Sequence, residues 1–358
     1  MRILVLGGGA QGRVIAADLA EALPTARISV ADLVPPPLPA RPNLAWVEAD
    51  GADLVALARL MHAHDLAVGA LPSRLGHGAM RAAIAARRPL VDVSFSAEDP
   101  LRLDADARAA GITIVPDCGL APGLSHLLVG RAACERGTPR AATILVGGVA
   151  EDPARPYGYV VTWSLDDLME EYTRPARIVR EAQETVVPVF SGLERVTVEG
   201  VGEMEAFYSD GLRTLTRTLP GPRALSEKTL RWPGHVAAIQ PLLRQGRLRA
   251  ELARRCVLAP PRDLVAMVVR IEWGDHGETV TLVDRYDAAT GRTAMSRTTA
   301  LTTAAVARLA AQGGLGEPGV RPLELVARDP RACRFVLDTL AGHGVRCTRR
   351  ETPPAAGR

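Results

Sequence analysis

Lysine is almost missing from this chain. Of 43 basic residues in 358, only Lys228 is a lysine; the others are arginines. Where arginine serves everywhere else, a retained lysine marks a position for scrutiny, because an ammonium shifts its pKa readily and a guanidinium does not. The five cysteines, Cys118, Cys134, Cys256, Cys333 and Cys347, show no C-x-x-C spacing. That argues against a zinc site and for a reducing compartment, and no metal is expected. No apolar run reaches the roughly 18 residues that a membrane-spanning helix needs. The net charge of +3 leaves no electrostatic footprint for nucleic acid or a membrane surface. No secretory leader is legible, since Arg2 leads at once into an apolar run and a glycine turn, so a cytoplasmic protein is expected. No Ser/His/Asp triad and no metal-ligand set is evident, so a cofactor must carry any redox chemistry.

What is present starts at the first dozen residues, MRILVLGGGAQG. An apolar run, Ile3 to Leu6, enters Gly7-Gly8-Gly9-Ala10-Gln11-Gly12, and a helical pattern follows from Arg13 to Ala22. This is G-x-G-x-x-G between a strand and a helix. Gly7 permits the tight turn, Gly9 lets backbone approach a pyrophosphate, and Gly12 lets the helix pack on the strand. Asp32 ends the next candidate strand at the spacing that reaches an adenosine ribose. Leu33-Val34-Pro35 follow it, with no adjacent arginine to hold a 2′-phosphate, so NAD is expected in preference to NADP.

Short apolar runs then alternate with helical patterns to about residue 120. The proline loop after Asp32 is followed by a strand at Leu44 to Val47. Asp50 reads either as an adenine contact or as the cap of a helix from Ala52 to His62. Strands are expected at Leu66 to Ala70, Leu90 to Val93 and Ile112 to Val115. The turn Ala70-Leu71-Pro72, then Ser94 and Asp117, would join Gly7 and Asp32 at one sheet edge, beyond the carboxyl ends of the strands. From Ala141 strand-like runs dominate, at Thr143 to Val149, Arg195 to Glu199, Met204 to Tyr208, Thr214 to Thr218, Lys228 to Trp232, Val265 to Trp273 and Glu278 to Tyr286. Ser164 opens a capping box before a helix to Tyr172. Thr299 to Gln312 reads as a helix, and Pro353 to Arg358 as a disordered tail.

Seven stretches together resemble the saccharopine dehydrogenase-like family, and within it the lysine 6-dehydrogenase branch. They are ILVLGGGAQG, GALP at Gly69 to Pro72, VDVS at Val91 to Ser94, AGITIVPDCGLAPG at Ala110 to Gly123, WSLDDLMEEYTRPARIVRE at Trp163 to Glu181, KTLRWPGH at Lys228 to His235, and MSRTTALTTAAVARL at Met295 to Leu309. The chain departs from the pattern at Gly76, where a polar residue is usual. The resemblance implies an α/β fold: a Rossmann dinucleotide-binding domain over 1–124, completed by C-terminal helices 299–350. Residues 125–298 are then a substrate-binding and dimerisation domain with a mixed, largely antiparallel sheet, in a homodimer or higher homo-oligomer. It also implies NAD-linked oxidation of a carbon–nitrogen bond in a small amino-acid or polyamine-like substrate.

Such oxidation needs a neutral amine, a C–H against the nicotinamide, and a base that is typically worth ~10²–10⁴-fold. Asp117 either holds the substrate amine or pins its own loop. Lys228 is either a buried base or an exposed strand lysine. Arg231 either pairs bidentately with an α-carboxylate or forms an ordinary ion pair. His235, after a Pro-Gly turn, is either catalytic or a helix-start histidine. Tyr159 and Trp163 either wall an aliphatic substrate or belong to the core, and Ser94 lies at the substrate edge. His62, His64, His276 and His343 read as surface residues, and Cys118 as a packing residue. Strand alternation puts Lys228, Leu230 and Trp232 on one face and Thr229 and Arg231 on the other, so a regular strand cannot bring both cations to one pocket. With Lys228 as base, Lys228→Arg is expected to lose at least ~10²-fold in turnover. Three functions compete: a lysine 6-dehydrogenase-like deamination, a saccharopine or carboxynorspermidine type reaction on a secondary amine, and an NAD-binding regulator without turnover.

Overall fold

A computed structural model describes residues 1–274 and 276–352. The tail expected to be disordered, 353–358, lies outside the described residues. The chain forms two units, Met1–Leu127 with Thr299–Leu340, and Leu128–Thr298 with the chain from Ala341 on. The elements run β1 (Arg2–Leu6), α1 (Gly12–Ala22), β2 (Arg27–Asp32), β3 (Leu44–Glu48), α2 (Leu54–His62), β4 (Leu66–Gly69), α3 (Ser73–Ala86), β5 (Leu90–Asp92), α4 (Asp104–Ala110), β6 (Thr113–Val115) and α5 (Leu124–Arg136). Next come β7 (Ala141–Ala150), α6 (Leu165–Glu171), β8 (Ala176–Arg180), β9 (Gln183–Val187), β10 (Glu194–Val198), β11 (Gly202–Tyr208), α7 (Leu215–Thr218), β12 (Ala224–Arg231), α8 (His235–Arg244) and α9 (Leu248–Arg255). The chain then adds β13 (Asp263–Glu272), β14 (Gly277–Arg285), α10 (Ala294–Ala311), β15 (Gly319–Val320), α11 (Leu323–Val326), α12 (Pro330–Gly342) and β16 (Thr348–Thr352).

The first unit holds a parallel sheet of order β15-β6-β5-β4-β1-β2-β3. Ile3 to Leu6 and Leu66 to Gly69 are buried throughout, as strands covered on both faces must be. Leu57 and Met61 of α2 and Met80 and Ala83 of α3 pack with Leu4, Leu6 and Leu90 on one face. Strand order reverses between β1 and β4, which opens a crevice at their carboxyl ends.

The second unit carries a mixed sheet of order β10-β11-β12-β7-β13-β14-β16, with the β8–β9 hairpin joined to β12. Among the described residues its one parallel pairing is β12 with β7; the other ladders are antiparallel. On one face Leu145, Met204, Ala206, Leu230 and Ala266 form a core. Another core gathers Phe207 with Leu168, Tyr172, Val236, Ile239, Leu248 and Leu252, from α6, α8, α9 and the residue after α6.

Several local expectations fail for identifiable reasons. Thr214 to Thr218 is a helical turn, because the Thr218 hydroxyl donates to the Thr214 carbonyl at 2.9 Å instead of standing on a pleat. The β8–β9 hairpin escapes detection because its turn residues, Glu181 and Ala182, take φ of 50° and 63° without the usual Gly or Asn. Asp53, not Asp50, caps α2, accepting from the Val55 and Ala56 amides at 3.1 and 3.0 Å. Asp50 closes a local turn on the Ala52 amide at 2.8 Å. Residues 348–352 are a strand on β14 rather than part of a terminal helix. Ser164 does cap α6, accepting from the Asp167 amide at 3.2 Å.

Candidate cofactor and substrate sites

In the first unit the buried β1 ends at Gly7, whose φ is +92° and whose amide donates to the Ala31 carbonyl at 2.7 Å. A Cβ on Gly7 would lie 2.5 Å from the Ala70 carbonyl oxygen, and one on Gly12 would lie 1.8 Å from the Gly7 oxygen. Both are therefore closed to side chains. Gly9 differs, because nothing lies within 4 Å of the place its Cβ would take. That open space borders the N-terminus of α1, where no acidic side chain occupies the first turn and Gln11 provides no side-chain cap. Both polar atoms of the Gln11 amide are buried without a partner. An open cradle, a helix N-terminus and an unsatisfied amide fit a pyrophosphate flanked by Gly9, Ala10, Gln11 and Gly12. Asp32 ends β2 and accepts from the Gly8 amide at 2.6 Å, which ties the ribose-reading position to the glycine loop.

The neighbouring carboxyl ends carry the other expected residues. The turn Ala70-Leu71-Pro72 follows β4, and the Ser94 hydroxyl reaches the Leu71 carbonyl at 3.2 Å and Asp92 Oδ1 at 2.9 Å. Asp117, after β6, is 3% exposed and sits at φ 51°, in the left-handed region that aspartate tolerates better than most residues. Cys118 donates its amide to the Asp92 carbonyl at 2.8 Å, and its own carbonyl accepts from the Thr303 hydroxyl at 2.7 Å. Burial, then Asp92 and Asp117, push the Cys118 thiol well up, so it packs rather than reacts.

In the second unit β12 alternates as its sequence requires. Lys228 Nζ donates to Glu194 at 2.6 Å and to the Gly192 carbonyl at 2.8 Å, and sits 4.6 Å from the centre of the Tyr208 ring. Thr229 and Arg231 point the other way and meet on one carboxylate. Glu171 Oε1 accepts from the Thr229 hydroxyl and from Arg231 Nη2, each at 2.9 Å. The Arg231 guanidinium lies 5.3 and 5.4 Å from the Tyr159 and Tyr172 ring centres. It also donates to the Leu230 carbonyl at 2.9 Å and to the Tyr172 hydroxyl at 2.8 Å.

From there the donor order is forced. Tyr172 lies 2.9 Å from His235 Nε2, and His235 Nδ1 lies 2.7 Å from the Tyr157 carbonyl, which only accepts. The imidazole proton is therefore on Nδ1, and Tyr172 O–H donates to Nε2. Burial, then the Arg231 cation, push His235 down to about 3, against the opposing pull of the Tyr157 bond. Burial pushes both phenols up, against the pull of Arg231. Trp163 Nε1 donates to the Tyr159 hydroxyl at 2.9 Å. Glu205 holds the start of α8, accepting from the Gly234 and Val236 amides at 2.8 and 2.6 Å.

Arg231, His235, Tyr159 and Trp163 thus form one group, and Lys228 stands apart on the opposite face of β12. His235 has both nitrogens engaged and stays neutral, which removes it as a free base. Lys228 is buried, which corrects the reading of it as an exposed strand lysine, and its ammonium is ion-paired with Glu194. His64 is no surface residue either: it is buried between the Leu60 carbonyl and the Ser29 hydroxyl. Sequence reasoning passed over Asp92, Glu171, Tyr172 and Glu205. The first three lie inside motifs already singled out, but no spacing rule links Glu171 to an arginine 60 positions away. Among the described residues no cluster of three or more His, Cys, Asp or Glu suits a metal, and no helix is long and apolar enough to cross a membrane.

Two family models match. The saccharopine dehydrogenase NADP binding domain matches residues 3–115, and the saccharopine dehydrogenase C-terminal domain matches residues 119–345. A saccharopine dehydrogenase (NADP(+), L-glutamate-forming) of Pyricularia oryzae is 26% identical over 147 residues, 39% of this chain and 33% of that protein. An alpha-aminoadipic semialdehyde synthase of Arabidopsis thaliana is 25% identical over 137 residues, 37% of this chain and 13% of that protein. The matches span a third or less of the length of these curated relatives. The solved apo saccharopine dehydrogenase (L-Glu forming) from Saccharomyces cerevisiae shares the fold, with a TM-score of 0.73 over 98% of this chain and 99% of that one, at 16% identity.

Proposed function

The chain belongs to the saccharopine dehydrogenase family, and from that premise we propose that it is a pyridine-nucleotide-dependent oxidoreductase acting on the carbon–nitrogen bond of an amino acid. The observation that carries the reading is the cradle over Gly9, open beside an unsatisfied Gln11 amide. Bound there, the dinucleotide supplies a nicotinamide that accepts the hydride. Everything else falls to side chains. Asp117, at the carboxyl end of β6, holds the substrate amine and takes its proton. Within the second unit, taken by itself, Arg231 donates three of its five N–H groups to Tyr172, Leu230 and Glu171, and the other two suit a carboxylate. His235 acts by fixing Tyr172, and Tyr172 by fixing Arg231. The second unit binds substrate and forms the homodimer.

The first substrate reading is a terminal amine, lysine before others, with NAD preferred because Asp32 opposes a 2′-phosphate. A secondary amine of the saccharopine type is the second, favoured by the names of the relatives and by an NADP-binding family model. One screen separates these from a non-catalytic NAD-binding regulator: NAD and NADP reduction over lysine, saccharopine, carboxynorspermidine and other amino acids and polyamines. The reverse reaction with added keto acid completes it. Turnover with lysine supports the first reading, and turnover confined to secondary amines supports the second. Tight nucleotide binding without turnover on any of them sinks the enzyme reading.

A further inference from the structure

Asp92 ends β5 with its side chain wholly out of solvent, at 0% exposure. Its Oδ2 has no hydrogen-bond partner, and its Oδ1 lies 2.9 Å from the Ser94 hydroxyl oxygen. That same hydroxyl oxygen lies 3.2 Å from the Leu71 carbonyl. A serine hydroxyl carries one hydrogen, and a backbone carbonyl only accepts. If the Ser94 hydrogen goes to Asp92, it leaves Leu71. If it goes to Leu71, the hydrogen between Ser94 and Asp92 must belong to Asp92.

We propose that Asp92 is a carboxylic acid protonated on Oδ1 and that it positions the cofactor turn. Asp92 Oδ1–H donates to Ser94 Oγ, and Ser94 Oγ–H donates to the Leu71 carbonyl. Oδ2 is then the neutral carbonyl oxygen, the atom of the group that is least costly to leave unpaired. The surroundings favour the neutral acid. Asp117 and the Cys118 thiol face it from the turn after β6, and neither is a cation. On β4 its register partner is Gly69, where a Cβ would lie 1.9 Å from Oδ1, so the carboxyl rests on bare backbone. Burial pushes Asp92 up to about 7, over the downward pull of Ser94 and with a further push from Asp117. The relay ends on the Ala70-Leu71-Pro72 turn, which backs Gly7. Ionisation of Asp92 therefore takes the Ser94 hydrogen away from Leu71 and loosens the wall of the nucleotide crevice.

The proton rests on this geometry together with the complete burial of the carboxyl and its unpaired Oδ2; its bearing on the nucleotide rests on the function proposed above. Infrared difference spectra between pH 5.5 and 8.5 test the proton. The carbonyl band of a buried protonated carboxyl is expected in the wild type, lost with a midpoint near 7, and missing from Asp92→Asn. NADH titration over the same range tests the coupling. Wild-type affinity falls about tenfold toward alkaline pH, the worth of one hydrogen bond. Asp92→Asn, whose amide donates to Ser94 at every pH, binds with the low-pH affinity throughout. Ser94→Ala binds weakly at every pH. A missing band, a band that ionises in the ordinary carboxylate range, or the same alkaline loss in Asp92→Asn overturns the proposal. The band without NADH binding at any pH leaves the proton in place and removes the cofactor reading instead.

Discussion

Acid should attack the second unit through one histidine. Inside the fold His235 stays neutral down to about 3, while an unfolded histidine protonates near 6.5. A base whose folded pKa is depressed contributes stability that is present above the unfolded pKa and lost as pH falls toward the folded one. Across that window the native state refuses a proton that the unfolded chain takes up. Between pH 7 and pH 4 the loss from this group alone is about 3 kcal/mol, at about 1.4 kcal/mol per pH unit. Other buried groups titrate nearby, including Asp92 and Asp263, so a difference against a non-titrating variant is needed. His235→Asn serves, because its amide can still donate to the Tyr157 carbonyl. At pH 7 it leaves the Tyr172 hydroxyl without its acceptor, at a cost of about 1–3 kcal/mol. Guanidinium unfolding at both pH values gives the two stabilities. The wild type is expected to lead at pH 7 and to lose that lead, or fall behind, at pH 4. A gap that stays constant between the two would show that His235 titrates alike in folded and unfolded chains, and the neutral relay through Tyr172 would be wrong.

Three further outcomes follow from the same geometry. Gly9→Val should fold normally by circular dichroism and lose nucleotide binding, since its side chain enters the open cradle without meeting protein; normal NADH titration would place the phosphates elsewhere. NAD should bind more tightly than NADP, because Asp32 ends β2 with only Leu33, Val34 and prolines after it; equal affinities in a fluorescence titration would refute this. Lys228→Arg should keep turnover within about fivefold, since arginine can also serve Glu194, the half-exposed partner of this ion pair; a loss of ~10²-fold would restore Lys228 as the base.

The first sheet was legible because its signals are local. Apolar runs, a glycine turn and an acid at fixed spacing each act within a few residues, and the carboxyl-edge argument then collects Gly7, Asp32, Pro72, Ser94 and Asp117 by topology alone. The second unit was legible only as a run of strands. Its hairpin turn at Glu181-Ala182 uses a left-handed backbone without glycine, which no composition rule marks. Its helices α8 and α9 carry weak local signals: α8 has Pro241 inside it, and α9 is a short, arginine-rich segment. Gly76 is a case of the reverse kind. Its lack of a side chain looked like a missing polar group, but a Cβ there would lie 2.5 Å from both Ser94 Cβ and Ser96 Oγ. The absence keeps room for the serines beneath the cofactor turn.

The KTLRWPGH motif shows why a dense polar motif is a poor guide to chemistry until its faces are separated. Read along the chain, Lys228, Arg231 and His235 look like one catalytic set. The pleat divides them, because residues an odd number apart on a strand face opposite ways. Lys228 leaves with Glu194, while Arg231 turns toward Glu171 and the two tyrosines. His235, past the strand, rejoins Arg231 through Tyr172, with both nitrogens already bonded. Each partner that makes Arg231 tolerable in a buried setting also reduces what it can offer a substrate. In the proposed function its role is that of a preoriented cation with two N–H groups left for a carboxylate, not of a proton carrier. In the proposed function proton handling falls to Asp117 at the edge of the first sheet, while the hydrogen proposed on Asp92 holds the turn after β4 through Ser94 and takes no part in the reaction. Neither was marked by the rarity of its residue type, which is what drew attention to Lys228.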